Sequence, residues 1–218
     1  MLKNHLGKTN HPAPFLLTFD DGFVSNYEIA IDFLTPRDIK ALFFFCPKLL
    51  DLKREDQRSA ICEYLFQGRI LSHDLCTEKK LMTWTQITRL LDAGHAVGCH
   101  GLSHRRLSAL AGEELQREIV SAADLLEVRT GRKTPWYAFA FGDIDSISPE
   151  ALEIISKRFR FCRSGIRGLN SPSTSRLGLY AESLDLAMPL SYQKLILEGG
   201  LDFRYADARK TLNAMVPF

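Results

Sequence analysis

The stretch Pro14-Phe15-Leu16-Leu17-Thr18-Phe19-Asp20-Asp21-Gly22 decides the fold. Its first six residues are nearly all apolar, without the alternation of a half-exposed strand, so they read as a strand buried on both faces. Such strands belong to parallel sheets with helices packed on them. The residues just after the strand narrow the choice. A dinucleotide-binding sheet places a Gly-rich phosphate loop at this point, whereas this chain places two carboxylates and a glycine. That difference favours a (β/α) barrel, in which reactive side chains sit at the carboxyl ends of the strands.

Outward from this stretch, short apolar runs alternate with longer amphipathic segments. Ala41-Leu42-Phe43-Phe44-Phe45-Cys46 is a second strand, stopped by Pro47. His95-Ala96-Val97-Gly98-Cys99-His100 is a third, and Trp136 to Phe141 a fourth; residues 159–162 and 176–179 are weaker candidates. Helical spacing runs from Asn26 to Leu34, over 53–68 and over 83–93, with a polar loop around Ser72-His73-Asp74 between the last two. Residues 112–130 give the clearest helix, with Leu115, Ile119, Ala122, Ala123 and Leu126 on its apolar face and Gly131 as its cap. Ser148-Pro149-Glu150 carries the N-cap and N1 signals of another helix, and a last one covers 191–198. There is no internal repeat, so the expectation is a single domain spanning residues 1–218.

Composition removes several classes of function. The chain has 218 residues, 45% hydrophobic and 25% charged, which suits one buried core and excludes a disordered chain. Its 28 basic and 26 acidic residues are mixed along the chain, so nucleic acid is not an expected partner. The locally basic group of Arg158, Arg160, Arg163 and Arg167 reads as a solvated loop. No run approaches the ~20 apolar residues of a membrane helix. Residues 1–7 lack the apolar run of a secretory signal, and five cysteines without paired spacing suit a reducing compartment. A cytoplasmic location is therefore expected. Cys46 and Cys162 read as buried packing residues, and Cys99 matters only through its place beside His100.

Three of the apolar strands end in chemically unusual residues: Asp20-Asp21-Gly22, then His100 with His104 four residues on, then Phe141-Gly142-Asp143. In a parallel sheet these ends share one face. Asp20-Asp21 alone reads equally well as a turn. Two imidazoles four residues apart reach one cation if the segment makes a helical turn. Two histidines and one aspartate satisfy the ligand count of a catalytic zinc site with an open position. Such an ion makes hydroxide available near neutral pH, and a free carboxylate beside it is a natural general base.

These residues resemble the polysaccharide deacetylases (carbohydrate esterase family 4). Thr18-Phe19-Asp20-Asp21-Gly22 looks like the first family motif, and the run from His95 to His104 resembles the second, including the serine at position 103. Residues 137–143 look like a variant third motif. The resemblance runs from about Phe15 to Gly142. It implies a distorted (β/α) barrel of about seven parallel strands. It also implies Asp20 as catalytic base and Asp21, His100 and His104 as ligands of a divalent metal, with zinc first and cobalt, nickel or iron as alternatives. The backbone N–H near Phe141 would stabilise the oxyanion. The implied reaction is hydrolysis of an N-acyl, usually N-acetyl, group on an amino sugar. The leading expectation, from the lack of a signal run and of a general acid, is removal of an acetyl or formyl group from a nucleotide-linked or lipid-linked amino sugar in bacterial surface polysaccharide (O-antigen or capsule) biosynthesis.

The chain departs from the family pattern at two points. Ala138 stands where the third motif often has the arginine that orients the base. The late Leu-x-His motif, which usually supplies a general acid, has no counterpart, since the last histidine is His104. His73 and Asp143 are the auxiliary candidates, with Glu182 and Asp185 behind them. The alternative function is a catalytically silent, metal-stabilised sugar-binding protein. Trp136, Tyr137 and Phe23 could wall a sugar ring, although core packing is the expectation for at least two of them.

Overall fold

Five parallel strands carry the fold: β1 (Leu17–Phe19), β2 (Ala41–Phe45), β3 (Ala96–Cys99), β4 (Trp136–Ala138) and β5 (Phe161–Arg163), side by side in sequence order. They are seen in a computed structural model that describes residues 15–77 and 79–217. Pro14, at the start of the expected first strand, and residues 1–7 lie outside the described residues. Helical connections return the chain to the same end of the sheet after every strand, as parallel pairing requires. In register, Phe19 lies opposite Phe43, Phe45 opposite Cys99, and Ala138 opposite Arg163. The carboxyl ends of the strands therefore share one rim.

β2 shows why the strands are apolar throughout. Phe43 and Phe45 join the large core beneath the helices. Leu42 and Phe44 point the other way and form a small inner cluster with Ala138 and Trp136. Both faces are covered, and burying each such side chain contributes about 1.5–3 kcal/mol. The sheet also curls. β1 and β5 are its outer strands, yet Arg163 on β5 reaches Asp20 at the end of β1. The result is the expected distorted (β/α) barrel, in an open form with five paired strands among the described residues rather than about seven. The expected strand at 176–179 runs beside β5: the Cys162 N–H donates to the Arg176 carbonyl and the Leu179 N–H to the Cys162 carbonyl. Only a single Arg163–Leu179 bridge forms there, too little for a strand.

The helices keep to the expected pattern with local departures. The Ser148 hydroxyl accepts from the Ala151 N–H at 3.2 Å and starts helix Pro149–Arg158. Gly131, at φ 65°, ends the helix over 112–130. Three helices contain a π turn (Ala30–Leu34, Ile61–Leu65 and Arg117–Ser121), which apolar spacing does not reveal. Helix Ala206–Met215 has no sequence signal because it buries only Leu212 fully. Among the described residues no helix is long and apolar enough to cross a membrane.

The chain leaves β1 through Gly22 at φ +77°, where a Cβ would lie 2.6 Å from Phe45 Cδ1. Both the left-handed backbone and the packed ring therefore demand glycine at this corner. That corner aims the two preceding carboxylates.

Candidate active site

Asp21, His100 and His104 converge at the rim. One ligand atom from each lies within 4.8 Å of the other two. His100 Nε2 is 3.6 Å, and His104 Nε2 3.4 Å, from Asp21 Oδ1. These separations exceed a hydrogen bond, so the groups face a common point without satisfying one another. Each ring is fixed from behind: His100 Nδ1–H donates to the Ala138 carbonyl at 2.7 Å, and His104 Nδ1–H to the Tyr64 carbonyl at 3.1 Å. Those bonds leave both Nε2 lone pairs aimed at Asp21, as in metal-ligating histidines whose other nitrogen is held by a carbonyl.

Electrostatics agree. Burial lowers both histidine pKa values, against the opposing pull of the nearby carboxylates and of their backbone hydrogen bonds, so the rings are neutral and able to coordinate at neutral pH. Burial pushes the Asp21 carboxyl up to about 6, against the pull of His100 and with a further rise from the charge of Asp20. Asp21 Oδ1 is buried and has no hydrogen-bond partner among the described residues. A buried carboxylate oxygen facing two lone pairs is costly on its own. A divalent cation resolves that cost, and the donor set of two imidazoles and one carboxylate fits it.

The residue pair 100 and 104 does not lie on a helical turn. The segment between them is a loop, with Gly101 at φ +86° and His104 at φ +63°. Asp21 (φ 68°) and Phe141 (φ 66°) are also left-handed, so three of the five such non-glycine residues described stand in the loops that follow β1, β3 and β4. Strained backbone of this kind persists where its surroundings over-determine it, commonly at functional sites.

Asp20 is held differently. Arg163 Nη2 donates to both its carboxylate oxygens, at 2.5 and 2.6 Å, and the guanidinium lies 5.0 Å over the Phe44 ring. Partial burial works to raise the Asp20 pKa, but Arg163, with His100 and His104, outweighs it and holds the carboxyl below its ordinary range. Asp20 is thus paired with an arginine from β5, although Ala138 stands at the third-motif position, and the solvated-loop reading of Arg163 is corrected. Its only sequence signal is alternation around Cys162, which puts Phe161 and Arg163 on one face of β5. Ala138, on β4, supplies its carbonyl to His100 instead.

None of the auxiliary candidates belongs to the cluster of Asp21, His100 and His104. His73 is exposed, 3.5 Å from Asp74, and does not line the cavity beside His104. Glu182 accepts from Arg167 and from the Gly168 N–H, and Asp185 is exposed. Tyr137 is fully buried in the core, and Trp136 stacks on Phe161 beside a second cavity that His95 and Val97 help to line. Phe23 packs under Lys79. No aromatic wall forms from these three. His95 supports the strand, accepting the Ala41 N–H at Nδ1 and facing Thr35 Oγ1 at Nε2.

A cavity of about 230 Å³ opens beside His104, lined by Tyr64, Gln67, Arg106 and Phe141 among others. The Phe141 ring packs edge-on against His104 at 4.6 Å and lies under the Arg106 guanidinium at 4.5 Å. Arg106 in turn donates to Asp143 Oδ1 at 3.1 Å and to Ser146 Oγ at 2.6 Å. Asp143 thus clasps the loop after β3 to the loop after β4. Arg106→Ala removes this exposed ion pair and uncovers the Phe141 ring, and is expected to lower the melting temperature by about 2–4 °C, which a thermal melt checks.

Comparison with known proteins points the same way. The family model for polysaccharide deacetylase matches residues 7–156. The chain belongs to the polysaccharide deacetylase family. A peptidoglycan deacetylase of Helicobacter pylori is 24% identical over 103 residues, 47% of this chain and 34% of that protein. The chain thus aligns with about a third of that curated relative. Among solved structures, the Streptococcus pyogenes deacetylase PplD in complex with acetate superposes with a TM-score of 0.63 at 18% identity, covering 83% of this chain and 69% of that one. IcaB from Ammonifex degensii gives 0.60 at 22% identity, over 84% and 71% of the two chains. At these identities the likeness establishes the fold.

Proposed function

We propose that this protein is a metal-dependent deacetylase that removes an N-acetyl group, or an N-formyl group, from an amino sugar. The observation that carries the reading is the convergence of Asp21, His100 and His104 beside an Asp20 carboxylate held by Arg163. Asp21, His100 and His104 would hold the metal, zinc by preference for two imidazoles and one carboxylate. When bound, the cation supplies Lewis-acid polarisation of the acyl carbonyl and hydroxide near neutral pH.

The chain's own residues do the rest. Asp20, kept ionised by Arg163, takes the proton of the attacking water. The backbone N–H near Phe141 donates to the oxyanion as the carbonyl carbon becomes tetrahedral. The C–N bond then breaks, the acid leaves as acetate or formate, and the amine takes up a proton. His73 is exposed and Glu182 is taken up by Arg167 and the Gly168 N–H, so in this reading Asp20, having taken the water's proton, returns it to the amine. The family and the peptidoglycan deacetylase relative support a carbohydrate substrate; within that class the proposal is an amino sugar of bacterial surface polysaccharide, nucleotide-linked or lipid-linked. Five free cysteines support a cytoplasmic setting for such a precursor.

Metal content tests the reading first. Elemental analysis of tag-free wild type should find about one zinc, cobalt, nickel or iron per chain, and His100→Ala and His104→Ala should lose it. Wild type that stays metal-free in excess zinc overturns the deacetylase reading and leaves a sugar-binding protein of the same fold as the better account.

A further inference from the structure

Glu118 is a carboxylate only 3% exposed, set in the π turn Arg117–Ser121 of the helix over 112–130. Its neighbours Leu115, Ile119 and Ala122 belong to the core. A carboxylate in such surroundings must be satisfied by hydrogen bonds. All of its bonds run to one segment, the loop between His100 and His104 and the residue just after it. Oε1 accepts the Ser103 N–H at 2.8 Å and the Arg105 N–H at 3.3 Å, and Oε2 accepts the Ser103 hydroxyl at 3.0 Å. The Glu118 carbonyl accepts the Leu102 N–H at 3.0 Å. Among the described residues no cation pairs with it.

This loop is one that needs holding. It bends through left-handed backbone at Gly101 and again at His104, the second an unfavourable conformation for a residue with a side chain. The fit is close on the Glu118 side, since a Cβ on Gly101 would lie 2.8 Å from Oε1. The bonds from Ser103 and Arg105 bracket His104 directly. We propose that Glu118 is a positioning residue that sets the backbone of His104, and through it the metal affinity of the site. This inference rests on the metal reading of the triad.

The test uses the full chain, with zinc alone as the probe. Zinc affinity is measured by chelator competition for wild type, Glu118→Gln, Glu118→Asp and Glu118→Ala, with circular dichroism as the check on folding. Amide exchange over residues 101–106 is monitored in the zinc-free proteins. Glu118→Gln should stay near wild type, because its amide oxygen still accepts both backbone N–H groups and the Ser103 hydroxyl can accept from its NH₂. Glu118→Asp, one methylene too short, and Glu118→Ala should bind zinc about 10–100-fold more weakly and exchange these amides faster. If the alanine variant does not fold, the aspartate variant decides. Wild-type zinc affinity in folded Glu118→Asp overturns the proposal, as does unchanged exchange over 101–106. Wild type that takes no zinc overturns the metal reading itself, whereas failure of Glu118 alone leaves wild-type binding intact.

Discussion

Asp20→Asn is expected to lower the deacetylation rate by about 10²–10⁴-fold, the range for loss of a positioned general base, while the metal stays bound. Asp20 and Asp21 are adjacent, yet the structure separates their tasks. Asp21 turns its buried Oδ1 toward the two imidazoles, and Asp20 turns both its oxygens toward Arg163. Asparagine keeps the shape and one oxygen for the guanidinium, so the fold and the triad should survive. It cannot accept a proton from water at neutral pH, nor return one to the departing amine. The measurement is acetate release from an N-acetylglucosamine oligomer, paired with metal content on the same sample. Loss of turnover with metal retained supports the assignment. Loss of both would make Asp20 a further ligand, and retained turnover would give the base role to another group.

The division between what the sequence makes legible and what it hides is physical. Asp20, Asp21, His100 and Phe141 are legible because they close apolar runs, with His104 four residues beyond one of them, and parallel strands bring those ends to one rim. The parallel pairing of the strands is legible for the same reason, since all-apolar runs separated by helices point to βα units. Arg163 is not legible. Its partner is 143 residues away on the opposite edge of the sheet, and only the curl of the sheet brings the two together. Glu118 is hidden for another reason. In an amphipathic helix one carboxylate beside Leu115 and Ile119 looks like a surface residue at the margin of the apolar face. The π turn that carries Glu118 leaves no mark in the spacing. Backbone conformation is hidden too: nothing about His104 as a residue type announces φ +63°.

Arg163→Gln should lower kcat/KM about 10²-fold, the scale of a misplaced reacting group, and move its acid limb to higher pH. Two opposing influences act on Asp20. Partial burial raises its pKa, and the Arg163 guanidinium, with the two histidines, brings it below the ordinary value of 3.8. Glutamine removes the positive charge and leaves burial less opposed, so the carboxyl titrates higher and the base is lost at a pH where wild type still works. Stability has the same sign. A carboxyl whose folded pKa is depressed contributes stability above its unfolded pKa, and that contribution fades as pH falls through the folded value. The variant should therefore melt lower than wild type at neutral pH, with the difference shrinking in acid. Arg163→Lys separates charge from orientation. It keeps a cation near Asp20 and should preserve the low acid limb, but a single ammonium cannot reproduce a planar guanidinium packed over Phe44, so turnover should still fall. A pH profile and rate unchanged in both variants would mean that the Arg163–Asp20 pair serves only to join β5 to β1 across the open edge of the barrel.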